Sequence, residues 1–417
     1  MVNRILLLLM LFIPLCLPAQ RNELLCSSLK TLTVSRNGKW NLIPYIELGT
    51  RDHLEISFDD LTHEYRRYRY RIEPMTWDWK PNTRLLASEF LANGLDEESI
   101  DTYEESINTN VLYTHYSFTF PKENTRFKLS GNYRIVIFDD DNDKEVAIVP
   151  VYVVEKKAML SAMVSTDTDI DFNLKHQQVT FKLQPDPTLN VHYPETEIHT
   201  VVMQNLSPFT MVSNPKPDYV MSTGMQWQHN KDLIFPAGNE FHKFEMTTIK
   251  HGGLGMESIQ WHDPYYHATL TTCNPHENYV YTEDANGAFL VKSIDSSDEE
   301  LESEYLLVHF FLKVKSDLQG RIYIDGEFTN HSLSSDYLMN YNPSSQLYEA
   351  TVLMKQGYYN YQYVFVPDKG IDRDSLNAIQ GDFYQTENRY SIFAYYSQRG
   401  ARADRLIAIQ DFNFSLR

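Results

Sequence analysis

The sequence predicts an all-β protein built of consecutive Ig-like or early-set β-sandwich domains. Three observations carry that reading. First, 28 Tyr and 22 Phe stand against 16 Ala in 417 residues, and aromatic side chains fit pleated, half-buried surfaces better than helices. Second, short segments alternate apolar and polar residues with period two, as strands buried on one face do. Third, the phrases Leu129-Ser-Gly131-Asn-Tyr133 and Leu353-Met-Lys-Gln-Gly357-Tyr-Tyr359 both have the form of a tyrosine corner. There a Tyr hydroxyl satisfies an upstream backbone carbonyl in a Greek-key sandwich. Two corners more than 200 residues apart point to separate sandwiches, and a chain of this length exceeds one comfortable core.

The chain opens MVNRILLLLMLFIPLCLPAQ. Arg4, the apolar run Ile5 to Leu17 and the small Ala19 read as a secretory signal peptide over residues 1–19, too short to span a bilayer. Cys16 is not read as a lipid anchor, because Leu15 precedes it where a small residue is needed. Two cysteines follow, Cys26 and Cys273; either a disulfide or two free thiols fits the sequence. No later segment approaches 18 continuous apolar residues. The formal charge of −19 argues against nucleic acid or anionic membrane as a partner, since phosphates are held by clustered Lys and Arg.

Residues 20–157 form the expected N-terminal sandwich. Leu54, Ile56 and Phe58 share one strand face, Tyr68, Tyr70 and Ile72 another, with Arg67, Arg69 and Arg71 on the opposite side. Tyr116, Phe118 and Phe120, then Tyr133, Ile135 and Ile137, continue the pattern. Residues 158–294 form a proline-rich middle β domain, in which prolines confine strands to edges and lengthen loops. Residues 295–304 carry six acids from Asp295 to Glu304 and read as a solvated acidic linker. Residues 305–417 supply about seven strand-like segments, enough for one C-terminal early-set sandwich.

No catalytic, cofactor or metal residue is assigned. Asp139-Asp-Asp-Asn-Asp143-Lys-Glu145 resembles a calcium loop, but Lys144 stands where an EF-hand needs Gly and Pro150 where it needs Glu. A hairpin turn is the better reading. His251-Gly-Gly-Leu-Gly255 lacks any G-x-S-x-G partner and reads as a Gly-rich loop. His262 and His267 lack a third ligand at conventional spacing. Gly326-Glu-Phe-Thr-Asn330 resembles the entry to a sugar platform in early-set glycogen-binding modules. His331 follows it, and no Trp occurs after Trp261. Tyrosines can stand in for that Trp, so a periplasmic or surface glycan-binding protein is the alternative function.

A longer resemblance spans residues 30–417. It runs in order through Ile46-Glu-Leu-Gly49, His53 to Leu61, Tyr68 to Ile72, Asp78-Trp79, Ser106 to Thr109 and Tyr113 to Tyr116. It continues through Leu129 to Tyr133, Phe235 to Phe241, Thr386 to Asn388 and Asp404 to Ile407. This collinear set resembles the plug protein family of the Bacteroidota type IX secretion system. Ala237 and His242 depart from the family pattern, in which Gly and Arg are more frequent. The resemblance implies a non-enzymatic protein without cofactors, periplasmic and held at the inner face of the outer membrane. Its implied partner is the outer-membrane β-barrel translocon, whose periplasmic opening it closes as a single copy, without spanning the membrane itself.

Overall fold

The computed structural model describes residues 20–122, 124–275, 278–315 and 318–416. The expected signal peptide, residues 1–19, lies outside the described residues. The strands group into four sheets, and the alternating residues recognised in the sequence fill their interiors.

In the first sandwich, one sheet runs Leu29–Arg36, Leu54–Asp60, Thr114–Phe120, Thr102–Glu105. Opposite it lie Lys144–Val154, Gly131–Asp139, Tyr68–Met75 and Glu97–Ile100. Leu54, Ile56, Phe58, Tyr70, Tyr116 and Ile135 are fully buried between the two sheets. Aromatic rings stack within and between them: Phe58 on its same-sheet neighbour Tyr116 at 5.4 Å, and Tyr70 on Phe118 of the facing sheet at 4.9 Å, which adds to simple area burial. Asp139–Asp143 makes the expected turn between two antiparallel strands. Its carboxylates face the arginine row: Asp141 pairs with Arg67 at 2.7 Å and Asp140 with Arg69 at 3.1 Å.

Both tyrosine corners form. Tyr133 donates its hydroxyl hydrogen bond to Leu129 O at 2.9 Å, and Tyr359 donates to Lys355 O. Each reaches back four residues and satisfies a carbonyl that the turn would otherwise leave unpaired.

The expected consecutive division of the rest of the chain is corrected. The second sandwich sets Ala158–Ser165, His176–Pro185 and Gly224–Trp227 against Ile198–Gln204, Asn388–Tyr396 and Arg405–Phe414. The last two strands, assigned from sequence to a C-terminal sandwich, thus return to the middle one. Their register is continuous, with Ile198↔Tyr396 through Gln204↔Tyr390. The third sandwich is inserted between the strands Ile234–Pro236 and Asn388–Tyr396. It is built around a nine-stranded sheet that includes His242–Met246, Tyr305–Leu312, Leu347–Lys355 and Gly357–Pro367. Ser391 to Tyr396 are buried without a break. A strand covered on both faces does not display in its own pattern which sheet it joins.

The acidic run is also corrected. Asp298 caps a short helix, Glu299–Glu302, by accepting from Glu300 N and Leu301 N. Leu301, Ser303 and Glu304 are buried. The end of the run is docked rather than solvated, because the Glu304 carboxylate finds backbone donors on the first sandwich, while Asp295, Asp298 and Glu300 stay exposed.

The first two sandwiches share one ten-stranded sheet, joined where Val154 pairs in parallel with Leu406. The far face of that sheet carries its own core of Trp79, Tyr152, Met203, Phe393 and Tyr395, with Tyr152 stacked on Phe393 at 4.6 Å.

Candidate functional site

Each junction between sandwiches is held by buried polar groups, and the three junctions form the candidate functional region. Between the first and third, Asp59 leaves the end of its strand with 1 % exposure. It accepts from His115 Nδ1 at 2.7 Å, Tyr305 Oη at 2.7 Å and Lys355 Nζ at 2.7 Å. Lys355 also donates to Glu300 O at 2.6 Å and lies 4.0 Å from the centre of the Tyr113 ring. Tyr113 Oη donates to Glu300 O and Ser303 O. Glu304 accepts from Asn110 N at 2.6 Å and Val111 N at 3.0 Å.

Burial opposes charge on Asp59, but the Lys355 ammonium and the His115 imidazole outweigh it and hold the carboxyl below its ordinary value. Burial likewise opposes the charged form of His115; hydrogen bonds to Asp59 and Glu300 prevail and raise it to about 9. Lys355 is lowered, chiefly by burial. The network is thus a desolvated salt-bridge cluster whose members depend on one another.

Between the second and third sandwiches, the two chain crossings lie side by side. Thr386 Oγ1 donates to Gly238 O at 2.8 Å, and Asn388 Nδ2 donates to Ala237 O at 2.8 Å. Gln177 Nε2 reaches Tyr384 O and Thr386 O from the second sandwich. Glu240 accepts from Glu387 N at 3.2 Å. Burial, reinforced by Asp284 and Glu387, raises Glu240 to about 7 although Tyr279 donates to it. Asp284 is raised by burial to about 6.

Between the first and second sandwiches, Asp404 accepts from Trp77 N at 2.9 Å and Ser397 Oγ at 2.6 Å. Tyr395 Oη donates to Asn132 Oδ1 at 3.0 Å. Gly131 has φ of +146°, and a Cβ there would meet Asp404 O at 2.8 Å. The absent side chain is what lets the corner of one sandwich touch the other.

The three sandwiches enclose a cleft of about 650 Å³ whose walls include Trp40, Ile43, Tyr152, Phe289, Glu327 and His331. It is a seam between domains, with apolar and charged walls interleaved.

Gly253 and Gly255 pack where a Cβ would meet Glu245 O at 2.2 Å and Lys243 O at 2.5 Å, so this stretch is a loop pressed on a strand. His262 and His267 stand on a tight hairpin. Parallel pairing brings His309 to 2.8 Å from His267, a neighbour the linear spacing did not display. Among the described residues, no three His, Cys, Asp or Glu side chains are arranged to hold a metal ion. His331, at the place of the sugar-stacking Trp, is 8 % exposed and bonded to Asp325 at 3.0 Å, so it offers no flat platform. Cys26 and Cys273 are free thiols. No helix of the described residues is long and apolar enough to cross a membrane.

Residues 29–156 match the family described as type 9 secretion system plug protein, first domain. The match covers the first sandwich from its Leu29–Arg36 strand to just past Lys144–Val154. The chain belongs to the type IX secretion system plug family. The family is connected with type IX secretion. A crystal structure of a hypothetical protein from Parabacteroides merdae is similar throughout the plug chain. It has 36% sequence identity and a TM-score of 0.90, covering 94% of this chain and 99% of that one. The C-terminal domain of the Streptococcus pyogenes protein AspA aligns at 8% identity over 92% of this chain and 98% of that one, with a TM-score of 0.15. No curated protein matches the chain at a significant level.

The segments that carry the family resemblance gather at the junctions. Asp59, Tyr113 and His115 face the third sandwich, Gly131 and Asp404 meet between the first two, and Gly238 and Thr386 meet at the crossings. Sequence reasoning recognised the segments without locating their common purpose; Lys355, in the second corner phrase, and Glu304, at the end of the acidic run, complete the cluster with partners that no local pattern displays.

Proposed function

We propose that this plug-family chain acts as a non-enzymatic stopper that closes the periplasmic opening of the outer-membrane type IX translocon barrel. The observation that supports it most is the joining of three sandwiches by buried polar networks at every junction. A stopper must resist deformation, and domains joined only by flexible linkers would move relative to one another. Here one sheet runs through two sandwiches, the third is tied by two adjacent crossings, and Asp59 and Lys355 lock it to the first.

The proposed partner is the barrel, bound by a single copy from the periplasmic side. The charged outer surface suits a separable interface more than an obligate one. The test is affinity purification of the tagged full chain from outer membranes in mild detergent. Recovery of the giant barrel supports the reading, most strongly in cells lacking the barrel's substrate carriers. Failure to recover it in either background overturns the reading.

A further inference from the structure

Cys273 sits in a constellation that the stopper role does not use. Two strands of the inserted sandwich, His242–Met246 and Gly357–Pro367, converge on its sulfur. Sγ lies 3.9 Å from His242 Nδ1 and 3.3 Å from Tyr361 Oη. His242 Nε2 lies 3.0 Å from Gln380 Oε1. A Gln carbonyl can only accept, so that bond places a proton on Nε2 and turns Nδ1 toward the thiol. The Tyr363 hydroxyl, in a residue 1% exposed, has no full hydrogen-bond partner and faces the same sulfur. Cys273 itself is part-exposed, beside the exposed Asn274 and Pro275.

We propose that Cys273 is a peroxide-reactive modification site, with His242 as its base, Gln380 as the residue that positions that base, and Tyr361 and Tyr363 as hydroxyls that solvate the sulfur and its oxidised form. Nucleophile, base and orienting amide stand in the order that activates a thiol. Burial alone would raise the Cys273 thiol. His242 and the two phenols outweigh it and bring the thiol below its ordinary value. His242 is itself raised against its burial by Cys273, Gln380 and Asp284, so the pair favours thiolate and imidazolium.

In the step, the Cys273 thiolate attacks one oxygen of hydrogen peroxide. The S–O bond forms as the O–O bond breaks. Sulfur is oxidised by two electrons and the peroxide reduced. The departing hydroxide takes the proton of the His242 imidazolium and leaves as water. Cys273 becomes a sulfenic acid and His242 neutral. Cys26 packs against the core of the first sandwich, not beside Cys273, so the product is not resolved within the chain as a disulfide.

The experiment uses the full chain carrying Cys26→Ser, exposed to hydrogen peroxide with dimedone present, and follows the Cys273 adduct by peptide mass spectrometry. The thiolate population of an ordinary thiol rises on the order of 70-fold from about pH 6 to about pH 8. The proposal expects less than about threefold for Cys273, and about a tenfold loss at pH 6 in His242→Asn. Gln380→Leu should produce an intermediate loss while leaving the thermal melt intact, which separates positioning from folding. A pH dependence as steep as that of free glutathione overturns the proposal. So does a rate unchanged in both variants. Should His242→Asn fail to fold, Gln380→Leu and the pH profile of the parent decide it.

Discussion

Asp59 of the first sandwich and Lys355 of the third, 296 residues apart, form an ion pair at 2.7 Å in which both side chains are 1% exposed. Such a pair is weak grounds for stability as a whole, yet removing one partner leaves an uncompensated buried charge. Lys355→Met should therefore cost about 3–5 kcal/mol in denaturant unfolding. Asp59→Asn with Lys355→Met together should cost clearly less than the sum of the two. A double-mutant cycle that closes to zero would show that the two residues do not interact.

The titration of His115 predicts alkaline loosening of the same junction. The imidazole is held charged up to about 9 in the fold, against about 6.5 in an unfolded chain. Its contribution is fully present below about pH 6.5 and is lost as the pH rises through about 9. Thermal melts of the parent should fall across that window, and His115→Gln should flatten the decline.

Glu240 works in the same direction at lower pH. Its carboxyl is raised to about 7 in the fold, so stabilisation by the neutral form is complete below about pH 4.5 and vanishes as the pH rises through about 7. Glu240→Gln should match the parent near pH 4.5 and exceed it at pH 8 by on the order of 1–2 kcal/mol after allowance for solvent screening. Calorimetric melts at the two pH values give the comparison. A variant no more stable than the parent at pH 8 would refute it.

The two tyrosine corners should behave independently. Tyr133→Phe and Tyr359→Phe each leave an upstream carbonyl without its donor and should each cost about 1–2 kcal/mol. The corners lie in different sandwiches, so the losses should add to within about 0.5 kcal/mol. Equilibrium unfolding of the singles and the double measures this.

Gly131→Ala tests contact between the first two sandwiches. The residue occupies positive φ, and the new methyl would press on Asp404 O. A loss of about 1–3 kcal/mol is expected. Hydrogen exchange should quicken at Trp77, whose amide is held by Asp404.

Sequence alone determined what local periodicity can encode. Tyr68, Tyr70 and Ile72 declare their buried face by alternation, and the Gly-x-Tyr phrases declare the corners, because both patterns are written within a few residues of chain. The turn at Asp139–Asp143 was legible for the same reason. Only the tertiary structure decided that Asn388–Tyr396 returns to the middle sandwich, since a strand covered on both faces fits more than one neighbour. It also decided that the end of the acidic run docks: Glu304 accepts hydrogen bonds from the Asn110 and Val111 amides, which no count of charges reveals. Cys273 and His242 are ordinary residues 31 positions apart in sequence. Their chemistry exists because two strands and a loop carry them to one point, and that distance is set by packing rather than by sequence spacing.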